Sequence, residues 1–116
     1  MSRIVHFFEV PEDGSVIEKV VPAGTELLGV KWRQTPYQPL AHVGDVVLYI
    51  EKPNVPPRTG HALMDERLLK VFLVPTGKAF DQKDFWYVGT VRQPGGDESH
   101  ASGFWHVYAL LTETPR

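Results

Sequence analysis

The chain contains no cysteine among its 116 residues. Without a thiol it can form neither a disulfide nor a cysteine-ligated zinc or iron–sulfur site, and catalysis by a cysteine nucleophile is excluded. A reducing compartment is therefore permitted.

Long apolar runs are also missing. No stretch approaches the 18 apolar residues that a membrane helix needs, and the apolar start of the chain is interrupted at Glu9, too early for a signal peptide. We therefore expect a cytoplasmic protein that makes no contact with a membrane.

Neither charge sign dominates. The chain carries 12 basic and 14 acidic residues, a formal net charge of −2, and the two signs are mixed along its length. Because phosphate binding normally leaves a basic face, duplex DNA or RNA is not expected to be the main partner.

Catalytic and metal-binding motifs are missing as well. The five histidines show none of the spacings that bring two imidazoles to one face of a strand or helix, and the serines lack a nucleophile-elbow context. The sequence therefore predicts no metal site, no cofactor and no catalytic residue, and it favours a protein that is not an enzyme. The histidines are His6, His42, His61, His100 and His106.

The residues that are present favour β-structure. Runs 68–74, 85–92 and 104–111 are rich in β-branched and aromatic residues, and Gly, Pro, Asp and Ser dominate the breaks between them, which is typical of an antiparallel meander. Four earlier runs read as strands for the same reason, at Arg3–Val10, 15–21, 26–33 and 46–51. We predict one all-β domain over residues 1–116, a small antiparallel sandwich or open barrel of about seven strands. The alternation predicts that the buried positions include Ile4, Phe8, Val30, Val47, Tyr49, Val71, Leu73, Val88, Val107 and Ala109.

Two segments between the strands are less regular. Residues 61–69 contain good helix formers and are the one helical candidate, either a single turn or merely the approach to the next strand. Residues 53–66 include three prolines within five positions, which deny the chain strand hydrogen bonds, so we predict a long loop there. Such a loop either carries recognition or is a tolerated insertion without a role.

The order of several short motifs resembles a known family. Segments 74–80 (Val-Pro-Thr-Gly-Lys-Ala-Phe), 87–91 (Tyr-Val-Gly-Thr-Val) and 104–108 (Phe-Trp-His-Val-Tyr), together with 20–30, are similar to short uncharacterised β-domain proteins encoded in bacteriophage and prophage genomes. The likeness covers most of the chain and departs from the family at 53–66 and 97–103. It implies a phage accessory protein of unknown activity and supplies no catalytic residues.

Two clusters are candidates for ligand binding. Lys31, Trp32 and Arg33, followed by Tyr37, combine cations with aromatic rings, which suits planar anions such as nucleotides. However, strict alternation puts Trp32 on the opposite face from both cations, so a core tryptophan with surface cations is the alternative. The segment Thr76, Gly77 and Lys78 is either a small anion site or a plain turn.

Two functions follow from this reading. The first is a non-enzymatic interaction module that binds a host or viral protein through a sheet edge or an aromatic surface, or that forms homo-oligomers. The second is a protein that sequesters a small nucleotide-like anion and so counters host signalling. In the second, phosphate contacts come from Lys31, Arg33, Thr76, Gly77, Lys78 and Arg92, and Trp32 or Tyr37 stacks on the base.

Overall fold

The computed structural model describes residues 2–34, 44–54, 66–92 and 103–113, which form seven β-strands. No α-helix occurs in these ranges, so the described part of the chain offers no helix with the length and apolarity needed to cross a bilayer. The strands are β1 (Arg3–Val10), β2 (Ile17–Pro22), β3 (Glu26–Gln34), β4 (Gly44–Pro53), β5 (Glu66–Pro75), β6 (Trp86–Arg92) and β7 (Phe104–Glu113).

All strand pairs are antiparallel, and they form two sheets. One sheet has the order β1-β4-β3 and the other the order β2-β5-β7-β6. Apolar side chains from both sheets meet in one buried cluster, so the sheets stack as a sandwich that is not closed into a barrel. The predicted all-β class and the predicted seven strands are confirmed.

The order of the last three strands differs from the prediction. A meander would place β6 between β5 and β7, whereas β7 pairs with both β5 and β6 and lies between them. The meander prediction was wrong because alternation shows which face of a strand is buried and carries no information about which strand lies beside it.

The core comes from the inner faces of the central strands. Val71 and Leu73 of β5 are completely buried, as are Val107 and Ala109 of β7, which confirms all four predictions. Phe8, Val30 and Val88 pack against this cluster as partly buried residues. The strand β4 contributes Val46, Leu48 and Ile50.

Three of the predicted buried positions lie outside this cluster, although Val47 among them is buried as predicted. Ile4 is 36% exposed, and its predicted burial was wrong because β1 is an edge strand. Val47 is completely buried, but alternation places its side chain on the outer face of β4, opposite Leu48. Tyr49 shares that outer face, where its ring centroid lies 5.7 Å from that of Phe7.

Bulges interrupt the alternation of two strands. In β3 the register against β4 shifts between Leu27 and Gly29. As a result Leu27 packs against the core, while Leu28, which strict alternation would place beside Val30, is 49% exposed. A second bulge shifts the register of β6 against β7 between Tyr87 and Gly89.

The two bulged strands lie next to each other along one long edge of the sandwich. A Cβ atom at Gly89 would lie 2.8 Å from Cγ2 of Val30, closer than two carbon atoms can approach. Gly89 therefore lets the backbones of β3 and β6 come together at this edge.

Of the two alternatives for the helical candidate, the approach to the next strand agrees with the structure where the two can be compared, and the helical turn does not. Residues 66–69 belong to β5, since pairing with β2 and β7 outweighs the helix propensity of Glu66 and Arg67. Residues 61–65 lie outside the described ranges. Pro53 and Glu66, the two ends of the predicted loop 53–66, belong to β4 and β5. Residues 55–65 of this loop lie outside the described ranges.

Candidate functional site

A cavity of about 360 Å³ opens at one end of the sandwich. Its floor is the last part of β5 together with Trp105 of β7. One wall is the turn between β1 and β2, at residues 12–14, and the other is the segment 78–82 that follows β5. This volume lies at the lower end of the range for ligand pockets and suits a short segment of chain or a small molecule.

The cavity exists because β2 is shorter than the strand it pairs with. The pairing begins at Ile17, which lies opposite Val71. In the described ranges no strand lies beside β5 beyond that point on the β2 side. Phe72, Leu73 and Val74 line the cavity there, and residues 14–16 run past them without forming a strand, since a Cβ atom at Gly14 would lie 3.9 Å from the carbonyl oxygen of Leu73.

The turn from β1 to β2 is fixed by an aspartate. Oδ1 of Asp13 accepts a hydrogen bond of 2.9 Å from the backbone N–H of Ser15, an arrangement that aspartate commonly makes in turns. Hydrogen bonds from the side chain and then the backbone of Ser15 hold the pKa of Asp13 below its ordinary value. Asp13 therefore stays ionised at the mouth of the cavity.

Its neighbour Glu12 behaves in the opposite way. Partial burial of its carboxyl group, and secondly the negative charge of Asp45, raise the pKa of Glu12 above its ordinary value. With Asp81 on the opposite wall, three carboxylates and a single lysine, Lys78, line the cavity. The balance of charge around the cavity is therefore negative.

Aromatic packing holds the second wall in place. The ring of Phe72 stacks on Tyr108 with centroids 5.5 Å apart and 13° between the ring planes. The ring of Phe80 lies 5.4 Å from Phe72 and 4.8 Å from Tyr108, and Phe85 meets the edge of Phe72 at 5.0 Å. Phe80 stays 41% exposed, so the segment that carries it offers an apolar surface to the cavity.

A chain of hydrogen bonds crosses the outer face beside these rings. Nε2 of His106 lies 2.6 Å from Oγ1 of Thr76, and Nδ1 lies 2.9 Å from Oγ1 of Thr90, which in turn contacts the hydroxyl of Tyr87. Each hydroxyl can donate or accept, so both ring nitrogens are satisfied in either neutral tautomer. His106 is therefore a half-buried, hydrogen-bonded residue, and it ties the start of the β5–β6 connection to the sheet.

Trp105 contributes an unusual polar atom to the floor. Its indole Nε1 is out of reach of solvent, and no described residue accepts a hydrogen bond from it. Such an unpaired buried donor costs on the order of 1–3 kcal/mol. The ring packs against the core cluster, so this region combines tight apolar packing with an unpaired donor.

The first predicted ligand cluster is not gathered around a common site. Trp32 packs against the core cluster, whereas Lys31 is exposed on the outer face of β3. The Arg33 guanidinium lies 2.8 Å from a Glu9 carboxylate oxygen and 3.6 Å from one of Asp45, and 4.7 Å from the ring centroid of Phe7. Tyr37 lies outside the described ranges.

The second cluster is a turn. The backbone N–H of Lys78 donates to the carbonyl of Pro75 at 3.2 Å, so this amide is used within the turn, and Gly77 is exposed between them. The hydroxyl of Thr76 is held by His106. Arg92, at the end of β6, lies 5.9 Å from the ring centroid of Phe104.

Of the seven predicted ligand-binding residues that the structure describes, only Lys78 lines the cavity. The sequence reading missed the acidic wall because Glu12 and Asp13 look like ordinary turn residues, and nothing local shows what the turn faces. The sequence held one signal for the row of hydrogen bonds through His106, namely the alternation along β7, which places His106 on the same face as Tyr108.

In the described part of the chain no three His, Asp or Glu side chains come together in a way that could hold a metal ion. None of the family models matches the chain, and no curated protein or solved structure matches it either. The resemblance to phage-encoded proteins therefore stays a prediction.

The opposite pKa shifts of the two turn carboxylates predict opposite effects of neutralising them. A raised pKa means that ionised Glu12 is less favourable in the folded protein than in the unfolded chain, so Glu12→Gln should raise the melting temperature at neutral pH. The gain should vanish below pH 4.5, the ordinary pKa of the group, because the carboxyl is then protonated in both states. Thermal denaturation at neutral and acidic pH measures this difference.

Asp13→Asn is the matched control. Its lowered pKa stabilises the folded protein above the ordinary pKa of 3.8, and that contribution disappears as the pH falls through the folded-state pKa. This variant should therefore melt lower than the wild type at neutral pH, with the difference shrinking in acid. The same sign of effect for both variants would contradict the described environment of the turn.

Proposed function

We propose that the protein is a non-enzymatic interaction module of a bacteriophage or prophage, which binds an extended segment of a host or viral protein in the cytoplasm of the bacterial host. The observation that carries this proposal is the cavity beside the end of β5, with its acidic and aromatic lining. The phage origin is supported by the sequence resemblance alone.

The lining of the cavity suits an extended segment of chain. The cavity lies between the end of β5, the turn from β1 to β2 and the segment 78–82, so the bound segment would lie across β5 between the two walls. Specificity in such a site comes from pockets for the side chains of the bound segment.

The side chains around the cavity indicate which residues a bound segment should carry. Carboxylates of Glu12, Asp13 and Asp81 surround the single lysine, and the exposed ring of Phe80 offers apolar contact. We infer that the partner segment alternates a basic residue, which meets the carboxylates, with an apolar residue that packs on the ring.

The same contacts give less support to the alternative function, in which the protein sequesters a nucleotide-like anion. Arg33 is already engaged by two carboxylates, and the amide of Lys78 closes a turn. An anion entering the cavity would meet three carboxylates for one lysine, which is unfavourable.

A thermal-shift panel tests the proposal. The probes are a capped Val-Arg-Val-Arg peptide, the matching Val-Glu-Val-Glu peptide, and mono-, di- and cyclic nucleotides. We expect stabilisation by the basic peptide alone, approaching about 2.7 kcal/mol at about a hundred times its dissociation constant. The response should disappear in Asp81→Lys, which reverses the charge of one wall in an exposed segment.

Glu26→Lys is the matched control. It makes the same change of charge at an exposed position of β3 that does not line the cavity, so binding of the basic peptide should persist. A flat response to both peptides would reject the cavity as a peptide site. Stabilisation by nucleotides that is lost in Lys78→Ala would favour the anion-binding alternative instead.

A further inference from the structure

The four edge strands of the sandwich differ in how they discourage pairing with another chain. β2 is short, carries Glu18 and Lys19, and ends in Pro22. β3 and β6 are bulged, and they lie against each other. Charges, prolines, bulges and coverage are the usual means by which sheet edges avoid association.

β1 has fewer of these protections. It is eight residues long, contains no proline or lysine, pairs with β4 without any register shift, and carries charges only near its ends, at Arg3 and Glu9. Three of its apolar side chains are open to solvent, with Val5 55% exposed, Phe7 45% and Ile4 36%. A long, regular and apolar edge of this kind is the feature that pairs with another strand.

The ladder with β4 determines which backbone groups are free. The N–H of Asn54 donates to the carbonyl of Ser2 at 3.0 Å, so Ser2 belongs to a hydrogen-bonded pair. Because such pairs alternate in an antiparallel ladder, the next members are the even-numbered residues of β1. The N–H and C=O groups of the odd-numbered residues, namely Arg3, Val5, Phe7 and Glu9, therefore point to the free side.

We propose that two copies of the chain pair through β1, antiparallel about a two-fold axis at His6, so that the two three-stranded sheets become one continuous six-stranded sheet. A second copy is the occupant that fits because the edge is complementary to itself. With His6 opposite its symmetry mate, Arg3 faces Glu9 and Val5 faces Phe7, so all four outward-pointing residues of each copy find partners.

The side chains agree with this register. Arg3 and Glu9, the two fully charged residues of β1, have opposite signs and would face each other across the interface, in addition to the ion pairs that they form within the chain with Glu51 and Arg33. Val5 would lie opposite Phe7, so these exposed side chains cover one another. A register shifted by two residues places either Val5 or Phe7 on the axis and leaves the backbone groups of Arg3 or Glu9 without a partner on the other copy.

The oligomeric state is the first test. Light scattering should give twice the chain mass of 13.1 kDa, and Val5→Lys, which adds the protection that β1 lacks, should give the single-chain mass with unchanged circular dichroism. Val20→Lys is the control, since Val20 is 61% exposed on the edge strand β2. A monomeric wild type, or a Val20→Lys variant that alone dissociates, would overturn the proposal.

The absence of cysteine allows a second test that does not depend on disrupting the interface. In the proposed register His6 and its mate form a non-hydrogen-bonded pair with Cα atoms about 4.5 Å apart, within the range that a disulfide spans. His6→Cys should therefore give a covalent dimer on mild oxidation. In Val5→Cys and Phe7→Cys the two thiols belong to residues offset by two positions, with Cα atoms about 8 Å apart, and cross-linking should be slow.

The three cysteine variants separate the possible outcomes. If Val5→Cys or Phe7→Cys cross-links fastest, the proposed register is wrong. If none of the three cysteine variants cross-links, the proposed pairing through β1 is wrong. Because Val5 does not line the cavity and lies seven residues before Glu12, the first residue that does, Val5→Lys should leave the response to the basic peptide unchanged, so this proposal and the proposed function fail independently.

Discussion

Leu73→Ala is expected to lower the free energy of unfolding by about 2–5 kcal/mol. Leu73 is completely buried and belongs to the cluster that joins both sheets. Its neighbours across the ladder with β7 are held by backbone pairing, with Val107 directly opposite, so the space left by the removed atoms cannot fully close. Chemical denaturation at equilibrium measures the loss.

Leu28→Ala is the matched control, because it removes the same atoms from a position that is 49% exposed. It should change the free energy of unfolding by no more than about 0.5 kcal/mol. A large cost for Leu28→Ala would contradict the bulge that turns this side chain outward. A cost near zero for Leu73→Ala would mean that the opposite face of β5 is the buried one.

Gly44→Ala is expected to be costly for another reason. Gly44 begins β4 opposite Gln34, and a Cβ atom there would collide with the carbonyl oxygen of Arg33 and come within 2.9 Å of the Cα of Gln34. Both obstacles are backbone atoms, which cannot rotate away, so the β3–β4 ladder must separate at this end. The expected loss is about 1–3 kcal/mol, measured by the same denaturation experiment.

Gly103→Ala provides the comparison. A Cβ atom at Gly103 would meet nothing within 4 Å, so this change should be neutral or should stabilise by up to about 1 kcal/mol, by restricting the unfolded chain. Equal losses at both glycines would show that the close approach of β3 and β4 is not the cause.

Local patterning in the sequence was sufficient for the strands and for much of the core. The bounds predicted for β1 agree with the structure, and Val71, Leu73, Val107 and Ala109 are buried as the alternation predicts. The prediction of burial is correct at those positions because one face of a strand must be apolar wherever it meets another sheet. Strict alternation does not give the exposure of Leu28, because a bulge inserts one residue between Leu27 and Gly29 and shifts the faces of the strand.

The candidate site was harder to predict because it depends on contacts between distant segments. The cavity arises where β2 ends before β5 does, and its acidic wall comes from a turn some 60 residues earlier in the chain than the floor, as the numbering of Glu12 and Phe72 shows. The cations singled out in the sequence are exposed, paired or used in a turn, because a charged side chain near a strand end finds an opposite charge on the neighbouring strand. Arg33, held by Glu9 and Asp45, is the clearest case.

The order of the strands also affects how the chain reaches this structure. Only the β3–β4 and β6–β7 ladders join strands that follow each other in sequence. The others, β1 with β4, β2 with β5 and β5 with β7, close longer loops. The two hairpins can form within microseconds, whereas the longer closures must lose much chain entropy before any contact compensates for it, which puts folding on a timescale of about milliseconds to seconds. During that interval β4 and β5 each lack a neighbour, so the newly made chain passes through a stage in which its most apolar strands are open to other molecules.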